Sequence, residues 1–326
     1  MINVELKGGA VKEFENGTTP AEIAKSIGAG LYKSVCCAKV DGDLCDLRTP
    51  LEKDCKVELL TFDNVDGQKT FWHTASHVLA QAVKRLYPNA KCAIGPAVDN
   101  GFYYDFDVEK PFSPEDLEKI KAEMKKIVKS GLELERVELS PEEAEKKLEE
   151  MNEPYKVELV KEHSDKGEHI TFYKQGEFID LCAGPHLMSV APIKAIELTA
   201  CTGAYWRGDA NNAQLCRVYG VAFPKASMLE EHLKKLEEAK LRDHNKLGRE
   251  LEYFTTVDYV GQGLPILLPK GARVVQLLQR WVEDVEQSKG CLLTKTPLLA
   301  KRDLYKISGH WDHYLDGMFV MGDPAD

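Results

Sequence analysis

The pattern of apolar and polar residues changes three times along the chain and predicts four successive regions. In residues 1–61, short apolar runs alternate with turn signals such as Asp41-Gly42, a pattern typical of β-hairpins. Thr19 and Glu22 flank a proline in the arrangement that starts a helix, where each side chain caps the backbone of the other residue. A hairpin, one helix and then further strands predict a β-grasp fold for this region.

Residues 62–224 predict a second, α+β domain. Its first helix is indicated by apolar residues that recur at helical spacing until Pro88, with Thr70 as the predicted cap. Two more helices should begin at the Ser-Pro sequences of Ser113 and Ser140. Strands are predicted at Phe102–Phe106, Tyr155–Val160, Ile170–Tyr173 and Gln214–Phe223.

The last two regions are a connector and the start of a third domain. Residues 225–247 are highly charged, with leucines on one face, which predicts a linker helix between domains. In residues 248–326, a long amphipathic helix is expected over Gly271–Ser288, followed by a strand over Leu292–Leu299. The whole chain is therefore predicted to be a multidomain α+β protein.

Composition narrows the possible classes of protein. The 326 residues are 43% apolar, enough for two or three domains with hydrophobic cores. The formal net charge of −10 gives no support to bulk electrostatic binding of nucleic acid, so any RNA contact must come from local patches. Nine cysteines without a CxxC pair, no secretory signal and no long apolar run predict a cytoplasmic protein with reduced thiols and no membrane association.

Two short sequences carry the candidate chemistry. His73 and His77, in His73-Thr-Ala-Ser-His77, lie four residues apart on the predicted helix, within about 40° of each other and roughly opposite its apolar face. Asp180, Cys182 and His186 belong to Asp180-Leu-Cys182-Ala-Gly-Pro-His186, the end of a predicted strand followed by a turn. Because packing alone does not explain this set, we expect the three histidines and the cysteine to meet in one pocket.

Two kinds of chemistry suit three imidazoles and a thiolate. Zinc binds such nitrogen and sulfur donors in tetrahedral geometry. Alternatively, histidines can position and deprotonate a water molecule beside an acyl carbon without any metal. The first histidine motif lacks the glutamate that serves as general base in HExxH metalloproteases. A zinc-protease mechanism is therefore not expected.

A third motif, taken together with the first two, indicates a resemblance to a known family. The stretch from Ala204 to Gly220 contains Tyr-Trp-Arg-Gly-Asp-Ala-Asn-Asn, and it follows the two ligand motifs in order. With these three motifs, the chain resembles the N-terminal half of bacterial-type threonyl-tRNA synthetases over essentially its whole length.

The resemblance implies a function for each predicted region. Residues 1–61 would be a TGS domain, and residues 62–224 the editing domain that these enzymes share with alanyl-tRNA synthetases. Residues 225–247 would be the linker helix. Residues 248–326 would begin a class II catalytic domain with an antiparallel-sheet core, whose motif 1 forms the homodimer interface in this family.

The activity implied for the parent enzyme is ATP-dependent attachment of threonine to tRNA(Thr). That reaction uses ATP, Mg²⁺ and a catalytic Zn²⁺, but motifs 2 and 3 and this zinc site have no counterpart in the sequence. No cofactor is therefore certain for this chain, which is expected to retain only editing, the hydrolysis of mischarged seryl-tRNA(Thr). Editing is needed because one missing methyl group supports only about 10–200-fold discrimination.

The resemblance also assigns roles to individual residues. His73 and His77 would hold and activate the water, Cys182 and His186 would complete the pocket, and Asp180 would position a histidine or the substrate amine. The four histidine and cysteine side chains are also the candidate metal ligands, although metal-free hydrolysis is the favoured hypothesis.

Three further residues receive roles in the same way. Lys156 would stabilise negative charge that develops on the substrate, and Tyr104 and Asp105 would be walls of the substrate pocket. Two alternatives to the synthetase interpretation are a free-standing trans-editing deacylase and a non-catalytic tRNA-binding remnant.

Overall fold

The computed structural model describes residues 1–261 and 263–322, and the chain divides into two compact units, 1–237 and 238–326. The predicted third domain, 248–326, therefore includes residues 262 and 323–326, which lie outside the described residues. Both units combine helices with strands, which confirms the α+β prediction.

The first region of unit 1 is a five-stranded sheet with two helices. Its strand order is β2-β1-β5-β3-β4, in which β1 pairs antiparallel with β2 and parallel with β5. The predicted hairpin and capped helix are both present, and Thr19 and Glu22 form the reciprocal capping box. The elements are β1 (Ile2–Leu6), β2 (Val11–Phe14), α1 (Pro20–Ile27), α2 (Ala29–Ser34), β3 (Val35–Val40), β4 (Asp43–Cys45) and β5 (Cys55–Thr61).

The second region of unit 1 is built on a long buried helix and two sheets. One sheet has the order β12-β13-β8-β6, with β7 also paired to β8, and the other has the order β11-β10-β9. Its first eight elements are α3 (Val65–Leu86), β6 (Lys91–Cys92), β7 (Ala97–Val98), β8 (Gly101–Asp107), α4 (Pro114–Ser130), β9 (Leu134–Glu138), α5 (Pro141–Glu150) and α6 (Pro154–Asp165). The remaining elements are β10 (Thr171–Gln175), β11 (Phe178–Leu181), β12 (Ala195–Tyr205), a 3₁₀ turn (Trp206–Gly208), β13 (Gln214–Phe223) and α7 (Ala226–Leu241).

Helix α3 begins earlier than the apolar pattern predicts. The cap prediction at Thr70 is wrong, because the helix starts at Val65 after Asn64. The first turns are polar, so they carry no apolar period that a sequence pattern could reveal. The predicted starts of α4 and α5 are confirmed, since Ser113 and Ser140 each form a capping box.

The predicted strand at Tyr155–Val160 is wrong, because these residues lie in helix α6. Pro154 occupies the first helical turn, where its missing N–H has no cost. Tyr155 packs beside Trp206 on one side of α6, while Val160 joins a second apolar cluster with α5. A helix packed on two sides shows nearly alternating apolar residues, which imitates the period of a strand.

The predicted connector over residues 225–247 is divided in two. Helix α7 ends at Leu241, and Asp243 then caps a new helix, α8 (His244–Glu250). Unit 2 continues with β14 (Phe254–Thr255), β15 (Ile266–Leu267), α9 (Pro269–Ser288), α10 (Arg302–Ile307), α11 (His310–His313) and a 3₁₀ turn (Leu315–Gly317).

Unit 2 contains less sheet than the sequence predicts. The long helix is confirmed as α9, but the strand predicted at Leu292–Leu299 is wrong. Leu298 is 99% exposed, so this segment has no neighbouring strand in the described residues to complete a ladder. The predicted antiparallel core is represented there by the β14–β15 pair alone. Apolar residues of α9, such as Trp281, are also exposed.

None of the helices in the described residues combines the length and the apolar character needed to cross a membrane.

Gly67 provides a test of the packing between α3 and the first sheet. A Cβ atom at this position would lie 1.9 Å from the backbone oxygen of Thr61, whereas a Cβ at Gly30 in α2 would meet nothing within 4 Å. We expect Gly67→Ala to lower the free energy of unfolding by about 1–3 kcal/mol through overpacking. Gly30→Ala, the matched control, should instead be neutral or stabilising by up to about 1 kcal/mol. Urea denaturation followed by circular dichroism measures both, and equal midpoints for the two variants would contradict the packing.

Candidate functional site

Three histidines and one cysteine converge in the second region of unit 1. One possible ligand atom from each of His73, His77, Cys182 and His186 lies within 4.8 Å of the other three. The Cys182 Sγ is 3.2 Å from His73 Nε2 and 3.2 Å from His186 Nε2. The predicted meeting of the two motifs is therefore present, although the motifs are about a hundred residues apart in sequence.

Helix α3 presents the first pair of histidines. Every residue from Thr70 to Val83 is buried except His73, which is half-buried. The expectation that both histidines lie opposite an apolar face is thus only partly met, since His77 is only 2% exposed. His73 is the more accessible of the two imidazoles.

An irregular segment after β11 presents the second pair. Gly184 has φ +76°, and a Cβ at this position would lie 2.3 Å from the Tyr173 hydroxyl, so only glycine fits. The Gly184 N–H donates to the Cys182 Sγ at 3.3 Å. The turn predicted from Ala-Gly-Pro is wrong, since residues 182–187 form an irregular segment without a turn or bend, but this segment still brings Cys182 and His186 to the same point.

Contacts outside the cluster leave one nitrogen of each imidazole facing its centre. His186 Nδ1 lies 3.1 Å from the Thr74 hydroxyl, and His73 presents its Nε2 to the Cys182 Sγ. The Nε2 atoms of both rings are then left for the cluster. His77 is reversed: its Nε2 is 3.7 Å from Asp180, and its buried Nδ1 has no hydrogen-bond partner among the described residues.

Burial controls the charge of the histidines. Desolvation lowers the pKa of His73 to about 4, despite the opposing effect of Asp180. Desolvation, followed by the neighbouring histidines, also holds the pKa of His186 well below its ordinary value. Both rings are therefore neutral at pH 7, so each can accept a proton or act as a ligand.

A buried ion pair lies next to the cluster. Lys156 Nζ is 2.8 Å from Asp180 Oδ1, and both side chains are about 95% buried. The Tyr104 hydroxyl donates to Asp180 Oδ2 at 2.5 Å. Burial opposes the charged forms, yet the pairing keeps the pKa of Lys156 above its ordinary value and that of Asp180 below it. Lys156 is thus a buried, charged group and not a surface lysine.

Asp105 is not brought to this cluster. It follows Tyr104 on β8, and successive side chains of a strand point to opposite faces. Its carboxylate accepts two hydrogen bonds from Arg217, at 2.7 and 2.8 Å. Tyr104 also stands behind Asp180 and does not face open space, because it is completely buried.

A cavity of about 370 Å³ opens onto the cluster. Its walls include five of the predicted residues: His73, His77, Lys156, Asp180 and Cys182. His186 lies behind them, completely buried. Polar residues that the sequence analysis did not select also line the cavity, namely His163, Glu168, His169 and Thr171. A cavity of this size is in the range that holds small molecules.

Comparison with known proteins shows which regions of this chain resemble known domains. Residues 2–61 match the TGS domain, and residues 170–219 match the "Threonyl and Alanyl tRNA synthetase second additional domain". The second match includes Cys182 and His186 of the pocket.

Individual relatives define the resemblance more closely. The threonine–tRNA ligase of Clostridium perfringens strain 13 is 60% identical over 99% of this chain and 50% of its own length. Those of Clostridium tetani and Acetivibrio thermocellus are 53% and 52% identical, over 98% and 100% of the chain. The resemblance to threonyl-tRNA synthetases is therefore confirmed. The chain spans about half the length of these curated relatives.

The buried pair predicts a large difference between two lysines of α6. Lys156→Met would leave Asp180 charged and unpaired in the interior, which costs about 3–5 kcal/mol of unfolding free energy. Lys161→Met changes an exposed lysine on the same helix and should alter stability by less than about 0.5 kcal/mol. Urea denaturation of both variants tests this, and a Lys156→Met midpoint equal to that of Lys161→Met would refute the charge pairing.

Proposed function

We propose that this chain hydrolyses the ester bond of seryl-tRNA(Thr), releasing serine and intact tRNA. The observation that carries the proposal is the convergence of His73, His77, Cys182 and His186 within 4.8 Å at a cavity. The match to the second additional domain of threonyl- and alanyl-tRNA synthetases supports the choice of an aminoacyl-tRNA as substrate.

The histidines are suited to act on a water molecule. His73 is half-exposed to the cavity and neutral at pH 7, so it can accept a hydrogen bond from water. The water oxygen attacks the carbonyl carbon of the seryl ester, and its proton passes to an imidazole. The bond from that carbon to the ribose oxygen then breaks, and the ribose oxygen takes up the proton.

The ion pair is suited to bind and polarise the ester. Lys156 provides a fixed positive charge at the cavity wall, where negative charge develops on the carbonyl oxygen during attack. Asp180 offers an acceptor for the ammonium group of the seryl moiety, and Tyr104 fixes that carboxylate. Asp105, held by Arg217, supports β8 and is not assigned a contact with substrate.

Zinc also fits the donor set. Three imidazoles and one thiolate are ligands that zinc prefers, and the Sγ–Nε2 distances of 3.2 Å are close to the spacing around a tetrahedral ion. His73, His77, Cys182 and His186 would together close a tetrahedral coordination shell, whereas a site that used only three of them would leave one position for a water, whose pKa the ion would lower. We propose, however, that the residues alone suffice for hydrolysis.

The whole-protein activity is a broader proposal. We assign the longer parent enzyme, of which this chain resembles the N-terminal half, to threonine–tRNA ligation, with tRNA(Thr) as partner, ATP, Mg²⁺ and Zn²⁺ as cofactors, a homodimer as assembly and the cytoplasm as location. The chain itself is expected to carry only the editing activity. The similarity between this chain and its relatives extends over residues 238–326 as well as over the editing region. This favours a synthetase over a free-standing trans-editing deacylase, which would not need the third region.

Hydrolysis can be tested with His73. His73→Ala should slow deacylation of seryl-tRNA(Thr) by about 10²–10⁴-fold, because the accessible proton acceptor is lost. His244→Ala, an exposed histidine outside the cluster, should retain the wild-type rate. Release of labelled serine from seryl-tRNA measures both rates, with threonyl-tRNA as the substrate that should remain intact. Equal rates for His73→Ala and wild type would favour the non-catalytic remnant.

The role of metal has a separate test. Because the residues alone should suffice, we expect deacylation to be unchanged by a zinc chelator, and freshly purified protein to contain less than stoichiometric zinc by mass spectrometry. Stoichiometric zinc, with activity lost on chelation and restored by added zinc, would instead establish a zinc hydrolase.

A further inference from the structure

An aspartate of the first region reaches into the candidate site from outside the two motifs. Asp46 follows β4 and is only 8% exposed. Its Oδ2 accepts a hydrogen bond from the backbone N–H of His186 at 3.2 Å and from the Tyr173 hydroxyl at 2.8 Å. A side chain of the TGS-like region therefore contacts the backbone of one of the four clustered residues.

Arg48 adds a second connection between the same regions. Its guanidinium donates to the backbone oxygens of Leu187 at 2.7 Å and Leu134 at 3.0 Å. It also donates to Asp46 Oδ1 at 3.0 Å and, at 3.4 Å, to the His186 carbonyl. Both the N–H and the carbonyl of His186 are thus held by residues that precede the editing region in sequence.

Tyr173 connects this arrangement to the imidazole itself. Its ring centroid is 4.4 Å from that of His186, and its hydroxyl stands against Gly184. Tyr173 is completely buried, and the hydrogen bond to Asp46 fixes the hydroxyl end of its ring. Asp46 therefore acts on His186 in two ways, through the backbone and through the aromatic ring that packs on it.

The chemistry around Asp46 requires a carboxylate. The side-chain oxygens of Asp46 accept from the Arg48 backbone N–H, the Arg48 guanidinium, the Tyr173 hydroxyl and the His186 N–H. All these groups are donors, so an amide nitrogen in place of one oxygen would face a donor with its own hydrogens. An asparagine of the same size cannot satisfy this environment.

We propose that Asp46 and Arg48 are positioning residues of the hydrolytic site, so that the TGS-like region forms part of the editing machinery. Neither residue lines the cavity, and neither touches the reacting atoms. They act by fixing His186, which in turn contacts the Cys182 thiol at 3.2 Å. The inference rests on the proposed hydrolysis only for its catalytic consequence, because the contacts themselves are independent of activity.

The test compares two aspartates of the first region. Asp46→Asn removes the charge at the site, whereas Asp54→Asn makes the same change at an exposed aspartate whose side chain, within the described part of the chain, bonds only Asn3. We expect Asp46→Asn to lower kcat for seryl-tRNA deacylation by about tenfold to a hundredfold, the effect of a small displacement in a site. KM should stay within about twofold, because the cavity walls are unchanged. Asp54→Asn should retain both constants.

A second readout separates positioning from hydrolysis. Carbon-13 NMR of labelled histidine, with the His186 signal assigned by its loss in His186→Ala, should show that signal displaced in Asp46→Asn and unchanged in Asp54→Asn. If wild-type protein leaves seryl-tRNA intact, the proposed hydrolysis fails, and the NMR comparison alone then decides the positioning. An unmoved His186 signal, or an unchanged kcat in an active enzyme, overturns the inference.

A milder variant covers the case in which Asp46→Asn does not fold. Tyr173→Phe keeps the ring beside His186 and removes only the hydroxyl that donates to Asp46. It should displace the His186 signal and lower kcat in the same direction, by a smaller factor. Simple loss of stability would lower the melting temperature and leave kcat per folded molecule intact, which would count against positioning.

Discussion

The site depends on the Asp180 carboxylate, because three other elements meet on it. Lys156 of α6 and Tyr104 of β8 bind it directly, and His77 of α3 lies 3.7 Å away. A buried charge is tolerated only when partners satisfy it, so these elements are held in one relative arrangement. The same constraint gives Lys156 its fixed place at the cavity wall.

Much of this arrangement could be predicted from local sequence. The helices that begin after Ser113 and Ser140 could be predicted because a capping box forms between two residues only three positions apart in sequence. The meeting of the two ligand motifs could be predicted from their composition alone, since histidine and cysteine in such spacing have little use in packing. Thr74, which supports His186, lies inside the first motif and could have been selected there.

Other features depend on contacts between distant residues and gave no sequence signal. The strand predicted at Tyr155–Val160 is a helix because two separate clusters bury its opposite sides. Asp105 and Tyr104 are neighbours in sequence but belong to opposite faces of β8, so only one of them meets Asp180. In the sequence, Asp46 cannot be distinguished from other polar loop residues. Its contact with His186 becomes visible only in the folded structure.

The neutral imidazoles of His73 and His186 affect how strongly the pocket attracts a polyanion such as the proposed tRNA substrate. His73 and His186 are uncharged, and the Lys156 ammonium is paired with Asp180, so these four groups contribute little net positive charge to the pocket. Attraction of a phosphate backbone must then originate on surfaces elsewhere, where dissolved salt screens it within about 10 Å. Under the proposed function, ionic strength should govern the rate at which tRNA binds and should have little effect on the rate of ester cleavage in the pocket.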